Sequence, residues 1–211
     1  LEALTAMGAV QEEGPGHRLE APRGLAPASI SLDEASVTGT ETALLAAAAA
    51  PGISEIRHAA CEPHVVELCA FLELMGAGIT GAGSHTIRVE GSARLGGATK
   101  ALWGDYIEAG SWAVVGAITG GEVQIRGARA VDMEVVTATL RKLGVRCEQQ
   151  DDMFTVVPSA LGGAGRITTG LWPAFPSDLV SLATVLATQA EGATLVHDWM
   201  YELRLFALEQ M

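Results

Sequence analysis

The sequence predicts an α/β fold built from a recurring β-α-β-α-β-β unit. Three similar sequence segments each read as a helix that ends at a glycine and is followed by an apolar strand. Their glycines, Gly8, Gly76 and Gly144, lie at equal intervals of 68 residues. A glycine directly after the last apolar turn of a helix is a common left-handed C-cap, because it has no Cβ to oppose a positive φ. Three such stops at equal spacing indicate an internal structural repeat.

A second sequence segment recurs at nearly the same interval and predicts one strand in each repeat. It alternates apolar and polar residues after a glycine, at 52–59, 121–128 and 192–198. Alternation with a period of two is typical of a half-buried strand. Each of these strands follows an alanine-rich apolar stretch that predicts the first helix of its unit. These first helices are predicted over 40–50, 108–119 and 178–190.

The remaining elements complete the unit with a second helix and a closing hairpin. The second helices are predicted over 62–75, 132–143 and 201–211. The hairpins are predicted over 78–90 and 145–157, with turns at 81–84 and 149–152. One more period of 68 residues requires a glycine directly after Met211, so both ends of the sequence cut through a repeat. We therefore expect an internal fragment of a longer protein.

Composition and charge exclude several classes of protein. Of the 211 residues, 13 are basic and 25 are acidic, which gives a net charge of −12. The chain therefore lacks the basic surface that a general nucleic-acid or anionic-membrane binder needs. Its longest uncharged runs are too short, and too rich in alanine and glycine, to span a bilayer. Three cysteines without CxxC spacing predict a reduced, cytoplasmic protein, and histidines without HxxxH or HExxH spacing predict no metal site.

The turns before the first helix of each unit are the main candidates for binding. They lie at 33–40, 104–110 and 172–178. A helix start presents unpaired N–H groups and the positive end of the helix dipole, so residues 36–40 suit a phosphate or a sugar hydroxyl. On spacing alone, the favoured interpretation is that Thr38 or Thr40 only caps the helix.

Three further side chains have both a chemical and a structural interpretation. Asp178 ends a turn stiffened by two prolines, where its carboxylate suits a general base toward a hydroxyl, but it also suits an N-cap. Glu62 stands at another helix start, where the dipole favours an acid for structural reasons. Arg204 suits a bidentate phosphate clamp, although a single arginine on a helix more often faces solvent.

The chain resembles the UDP-N-acetylglucosamine enolpyruvyl transferases (1-carboxyvinyltransferases) over nearly its whole length. The segments that carry the resemblance are LDEASVTGTE at 32–41, AACEPHV at 59–65, IRVEG at 87–91 with LGG at 95–97, DYIEAGS at 105–111, WPAFPSD at 172–178 and ELRLF at 202–206. The PAFPSD segment favours this family over the related shikimate-phosphate enolpyruvyl transferases. The repeat is consistent with the family's architecture, six β-α-β-α-β-β units arranged as two inside-out α/β domains around a cleft.

The resemblance implies a domain division and an activity. Residues 1–103 would form the C-terminal part of the first transferase domain, and residues 104–211 the first part of the second. The family transfers enolpyruvate from phosphoenolpyruvate to the 3-hydroxyl of UDP-N-acetylglucosamine and releases phosphate, without a metal or other cofactor. That reaction is the first committed step of peptidoglycan synthesis, and it links the family to cell-wall biogenesis, cell shape and cell division. The implied partners are these two small molecules, with no nucleic acid and no membrane.

The resemblance also implies roles for individual residues. Asp178 would bond the sugar and take part in removing the proton of its 3-hydroxyl, facing Ser36 across the cleft. Met200 would line the nucleotide pocket through its backbone. Glu62 and Arg204 would lie near the cleft. The UDP-sugar would contact the turn formed by Glu34, Ala35, Ser36 and Val37.

The departures from the family set two expectations. The family's Lys-Asn pair, its mobile loop with the catalytic cysteine and the cations that neutralise phosphoenolpyruvate lie outside this segment. Neither Cys61, Cys69 nor Cys147 stands in the context of that loop, so none is assigned as catalytic. The segment alone is expected to be inactive. Two alternatives stay open at this point, a non-catalytic or repurposed binding module with the same fold, and 3-phosphoshikimate 1-carboxyvinyltransferase.

Overall fold

The computed structural model describes residues 1–12, 14, 16 and 18–210. The chain divides after Leu102 into two compact units, each with its own buried core. The assignment of residues 1–103 and 104–211 to the two domains of an enolpyruvyl transferase stays a prediction.

The first unit contains one complete copy of the repeat. Its elements are α1 (Glu2–Ala6), β1 (Val10–Glu12), β2 (Arg18–Glu20), β3 (Ser29–Ser31), α2 (Val37–Ala49), β4 (Gly52–Arg57), α3 (Pro63–Leu74), β5 (Gly78–Thr80) and β6 (Thr86–Gly91). From β3 to β6 the order is β-α-β-α-β-β, as predicted. These strands form one sheet in the order β3-β4-β6-β5, in which β3 and β4 are parallel and the other pairs are antiparallel.

The second unit contains parts of two further copies. Its elements are α4 (Tyr106–Thr119), β7 (Val123–Arg126), α5 (Ala130–Lys142), β8 (Arg146–Gln150), β9 (Met153–Val157), β10 (Gly165–Thr168), a 3-10 turn (Ser177–Leu179), α6 (Val180–Thr188), β11 (Thr194–His197) and a 3-10 helix (Arg204–Gln210). The antiparallel sheet β7-β9-β8 repeats the order of β4-β6-β5, and the parallel pair β10-β11 repeats β3-β4.

The glycine stops that predicted the repeat have the expected backbone geometry. Gly8, Gly76 and Gly144 follow α1, α3 and α5 with φ values of +97°, +107° and +84°. At Gly144 a side chain would also clash with the backbone, because a Cβ there would lie 2.6 Å from the carbonyl oxygen of Ala160. The predicted α/β fold built from β-α-β-α-β-β repeats is therefore confirmed.

Two predicted elements differ in the structure. The second repeat lacks its leading strand: residues 98–100, one repeat after β3, form no strand, and Lys100 there binds Glu67 of the first unit at 2.9 Å. The predicted helix at 201–211 is a shorter 3-10 helix that begins at Arg204. Leu203 has a φ of +59°, which a right-handed helix cannot contain, so the helix cannot begin earlier.

The first helices of the first two repeats, α2 and α4, pack closely against their sheets through small residues. In α2, Ala43, Ala47 and Ala48 are fully buried. A Cβ at Gly91, the last residue of β6, would collide with the carbonyl oxygen of Ala47. In α4 a Cβ at Gly116 would lie 2.9 Å from a methyl carbon of Val123 in β7. This packing fixes the helix starts, and therefore the turns in which the predicted site residues lie.

Candidate functional site

The turn from β3 into α2 is organised by Ser36. Its Oγ accepts a hydrogen bond from the Gly39 N–H at 3.1 Å, so Ser36 is the N-cap of α2. Thr40 is buried, donates through Oγ1 to the Ser36 carbonyl at 2.7 Å and accepts the Ala60 N–H at 2.9 Å. The prediction from spacing that Thr38 or Thr40 caps the helix is therefore wrong. Thr40 instead ties the turn to the segment that leads into α3.

A pocket of about 640 Å³ opens beside this turn. Glu34 and Ser36 line it, together with Asp33, Thr38 and Thr42, which add a carboxylate and two hydroxyls to its wall. The other two predicted residues have different positions: Ala35 is buried and Val37 packs against the core of the first unit. Of the four residues predicted to contact a UDP-sugar, two thus line the pocket wall. Ala35 and Val37 would contact a ligand there only through the backbone.

Glu62 has an unusual environment at the start of α3. Its carboxylate makes no capping hydrogen bond, and Oε2 is buried with no hydrogen-bond partner among the residues that the structure describes. Burial, and secondarily the charge of Glu62, raise the pKa of the adjacent Cys61 thiol. Burial is also the largest cause that raises the pKa of Cys147. Burial, and secondarily the charge of Glu73, raise the pKa of Cys69 to about 11. Thiols with raised pKa values are poor nucleophiles at neutral pH.

The second unit brings Asp178 and Arg204 together. Asp178 lies in the 3-10 turn just before α6, and its Oδ1 accepts a hydrogen bond from Arg204 Nη2 at 2.6 Å. The Asp178 side chain makes no capping hydrogen bond, so the alternative prediction that Asp178 is an N-cap is wrong. The side chains of Asp178 and Arg204 are 61% and 35% exposed. The pair is therefore accessible to a ligand from solvent.

Asp198 holds this pair in place through a hydrogen-bond network. Its Oδ1 accepts from Thr169 Oγ1 at 2.7 Å and from the Met200 N–H at 2.9 Å, and its Oδ2 accepts from Ser177 Oγ at 2.5 Å. Ser177 Oγ also accepts from Arg204 Nε at 3.2 Å. Partial burial acts to raise the pKa of Asp198, but these hydrogen bonds and the charge of Arg204 together hold its pKa below the ordinary value.

Comparison with known proteins gives the family of the chain. Residues 1–208 match the family model described as EPSP synthase (3-phosphoshikimate 1-carboxyvinyltransferase). The chain belongs to the EPSP synthase family. The chain is 40% identical to a UDP-N-acetylglucosamine 1-carboxyvinyltransferase from Treponema denticola, in an alignment that covers 99% of this chain and 51% of that protein. A protein of the same name from Porphyromonas gingivalis is 38% identical over 100% of this chain and 50% of its own length. The predicted resemblance is confirmed, and the chain spans about half the length of these relatives.

Solved structures of the family share the fold at lower sequence identity. The enolpyruvyl transferase NikO from Streptomyces tendae matches 98% of this chain and 52% of its own, with a TM-score of 0.83 and 22% identity. An EPSP synthase from Acinetobacter baumannii matches 92% of this chain and 46% of its own, with a TM-score of 0.62 and 22% identity. At this identity the likeness establishes the fold alone.

In this EPSP synthase family member, Met200 has a more limited role than predicted. Its N–H is already donated to Asp198, so only its carbonyl and side chain remain for a nucleotide. The neighbouring Trp199 donates its indole N–H to the Thr169 carbonyl at 2.7 Å and leaves much of its ring exposed. A nucleotide contact of Met200 stays a prediction.

Sequence reasoning missed the residue at the centre of the second-unit network. Asp198 follows directly after β11, and an acid at the end of a strand is a known signal for a polar site in α/β folds. The predicted approach of Ser36 to Asp178 joins residues of different units and stays a prediction. Among the described residues there is no cluster of three or more potential metal ligands, and none of their helices is long and apolar enough to cross a membrane.

Proposed function

We propose that the protein containing this chain transfers the enolpyruvyl group of phosphoenolpyruvate to the 3-hydroxyl of UDP-N-acetylglucosamine and releases phosphate. Relatives of that name at 38–40% identity support this substrate pair. We further propose that the protein acts in the cytoplasm at the first committed step of peptidoglycan synthesis, and therefore in cell-wall biogenesis, cell shape and cell division. Residues 1–211 alone are expected to be inactive.

The observation that carries the proposal is the state of the Asp178 carboxylate. One oxygen is held by Arg204 at 2.6 Å, whereas none of the described residues donates a hydrogen bond to Oδ2. A carboxylate fixed by one oxygen and open at the other suits a general base. In the proposed reaction Asp178 accepts the proton of the 3-hydroxyl while the sugar oxygen forms a bond to C2 of phosphoenolpyruvate and the methylene carbon takes a proton from an acid outside this segment. The bond between C2 and the phosphate oxygen then breaks, the phosphate leaves with its electron pair, and the new methyl group gives up a proton to restore the double bond.

The first-unit pocket supports the other part of the substrate. The hydroxyls of Ser36 and Thr38 and the start of α2 lie at its wall, and such groups bind sugar hydroxyls and phosphates. Asp33 and Glu34 on the same wall accept hydrogen bonds from hydroxyls and from a uracil N–H, groups that a UDP-sugar has and phosphoenolpyruvate lacks. We propose that this mixed wall binds the UDP-sugar rather than phosphoenolpyruvate.

A second candidate function is the transfer of enolpyruvate to shikimate 3-phosphate. The description of the matching family model favours it. Identities of 38–40% to the UDP-N-acetylglucosamine enzymes, against 22% to the EPSP synthase structure, favour the first proposal. A binding module without activity is the third possibility, and one assay separates all three.

The test is phosphate release by the full-length protein with phosphoenolpyruvate and each acceptor in turn. We expect release with UDP-N-acetylglucosamine only, and a fall in kcat of about 10²–10⁴-fold for Asp178→Asn, as for loss of a general base. The matched control is Asp151→Asn, because Asp151 lies in an exposed hairpin turn at φ +53°, a conformation that asparagine tolerates. Release with shikimate 3-phosphate would favour the second candidate, and no release with either acceptor would favour the module.

A further inference from the structure

The Asp178 carboxylate is the last member of a chain of hydrogen bonds that begins at Asp198. The Ser177 hydroxyl donates to Asp198 Oδ2 at 2.5 Å and accepts from Arg204 Nε at 3.2 Å. Arg204 in turn donates through Nη2 to Asp178 Oδ1 at 2.6 Å. The two carboxylates are therefore joined through one hydroxyl and one guanidinium group.

The two oxygens of Asp198 make two different connections. Oδ1 accepts from Thr169 Oγ1 at 2.7 Å and from the Met200 N–H at 2.9 Å. Thr169 follows directly after β10 and Asp198 directly after β11, so Oδ1 ties the ends of this strand pair together. Oδ2 instead accepts from Ser177, which leads toward Asp178. A substitution that spares Oδ1 therefore tests the second connection by itself.

The orientation of the Arg204 guanidinium group depends on two acceptors. Nε and Nη2 lie on one edge of the planar group, and Ser177 Oγ and Asp178 Oδ1 meet one nitrogen each. The Tyr201 ring, whose centroid lies 4.9 Å from Arg204 Cζ, supports one face of the group but does not stop it from turning in its own plane. Without Ser177 as an acceptor, the guanidinium group is free to pivot about its bond to Asp178.

Asp198 sets the direction of the Ser177 hydroxyl. A hydroxyl rotates to suit the acceptors around it, and here its hydrogen points to a carboxylate. The lone pairs of Oγ are then left for Arg204, and donation to a charged acceptor makes Oγ a stronger acceptor in turn. Ser177 is buried, so this arrangement is protected from competition by solvent.

We propose that Asp198 is a positioning residue of the enolpyruvyl transfer reaction, which acts through Ser177 and Arg204 to hold the Asp178 carboxylate in the orientation of a general base. The proposal rests on the proposed function, in which Asp178 accepts the proton of the 3-hydroxyl. The bond from Arg204 to Oδ1 fixes this carboxylate while Oδ2 stays open, so a guanidinium group that pivots moves Oδ2 as well.

A purely structural role is the alternative, because Asp198 also joins the ends of β10 and β11. The two roles depend on different oxygens of the same carboxylate: the structural role on Oδ1 and the positioning role on Oδ2. They therefore predict different results when only Oδ2 is changed.

The first experiment measures kcat and KM of the full-length protein with Asp198→Asn. Asparagine keeps one oxygen for Thr169 and the Met200 N–H, and it presents an amide nitrogen to Ser177 in place of Oδ2. We expect kcat to fall by about 10–100-fold, the loss that a small misplacement of a catalytic group produces. KM for UDP-N-acetylglucosamine should change by less than about threefold, because the lost interaction acts on the transition state.

Ser177→Ala tests the same connection at its second member, and it stands even if Asp198→Asn fails to fold. We expect a fall in kcat of similar size. The double variant should lose little beyond either single variant, because both changes break one connection. Additive losses in the double variant would overturn the proposal.

Two further variants separate positioning from a general loss of stability. Asp198→Glu keeps both carboxylate oxygens at a different length, so it should retain more of kcat than Asp198→Asn, which is closer in shape. The matched control is Thr194→Val, which loses the acceptor of the Ala164 N–H at the other end of the strand pair and should leave kcat nearly unchanged. Equal falls for Thr194→Val and Asp198→Asn, or a higher KM without a lower kcat, would refute the positioning role.

The second experiment does not depend on activity, so it separates this proposal from the proposed function. In the full-length protein with ¹⁵N-labelled arginine, the Arg204 Nε–H should give an NMR signal protected from exchange with water, assigned by its absence in Arg204→Lys. Protection should be lost in Ser177→Ala and in Asp198→Asn, and kept in Thr194→Val. Full protection in Asp198→Asn would overturn the proposal. These signals in a protein that releases no phosphate would contradict the proposed function and still support the connection from Asp198 to Arg204.

Discussion

Replacing Asp198 by asparagine tests the network that holds the second-unit site. Asparagine keeps one acceptor oxygen for Thr169 and the Met200 N–H, but its amide nitrogen cannot accept the Ser177 hydroxyl. If the Ser177 hydroxyl reverses and accepts from that nitrogen as well as from Arg204 Nε, its own hydrogen loses the carboxylate acceptor, and a hydrogen bond to a charged group is replaced by one between neutral groups. Hydrogen bonds to a charged group contribute about 1.5–3 kcal/mol, so we expect Asp198→Asn to lower the free energy of unfolding by about 2 kcal/mol at pH 7.

The loss of stability in Asp198→Asn should depend on pH, whereas the loss from a general packing defect would not. The pKa of Asp198 is held below 3.8 in the folded chain, so its ionised form stabilises the fold above that pH and the contribution is lost as the pH falls through the folded pKa. Asparagine does not titrate. The difference in unfolding free energy between the two proteins should therefore be full at pH 7 and shrink below pH 3.8.

The assay is urea denaturation followed by tryptophan fluorescence. All four tryptophans of the chain lie in the second unit, so the signal reports the part that contains Asp198. With an m-value of about 3 kcal/mol per molar urea, the midpoint should fall by about 0.7 M at pH 7. A loss below about 0.5 kcal/mol, or a loss of the same size at pH 7 and pH 3, would refute the reasoning. Asp151→Asn in the exposed hairpin turn is the control.

Two other predictions concern packing and thiol chemistry. Gly91→Ala should destabilise the first unit by about 1–3 kcal/mol in thermal or chemical unfolding, because the new Cβ would collide with the backbone carbonyl of Ala47. The control is Gly97→Ala, which has open space around it and should change the stability by less than about 0.5 kcal/mol. The pKa of about 11 at Cys69 means little thiolate at pH 8, so iodoacetamide should label Cys69 in urea far faster than in the native protein when followed by mass spectrometry. Equal labelling rates would show that the thiol is not buried as described.

The sequence by itself determined the repeat and most of the elements that build it. A positive φ after a helix and an alternating strand are local properties, which depend on a few neighbouring residues, and so Gly8, Gly76 and Gly144 could be placed without any tertiary information. The same local signals predicted that the turns at Ser36 and Asp178 precede helices. The resemblance of whole segments added the family, because ordered motifs over nearly the full chain carry more information than any one spacing.

Only the tertiary structure decided how the side chains in those turns are used. Asp198 lies 29 residues from Thr169 and 21 from Ser177, and nothing in the sequence selects these partners from the many polar groups of the chain. Likewise, the predicted unit begins with a strand, but residues 98–100, one repeat after β3, form no strand, and Lys100 there forms an ion pair with a residue 33 positions away. Hydrogen bonds and ion pairs between distant residues depend on the packing of the helices and sheets that bring them together, and local sequence patterns do not contain that information.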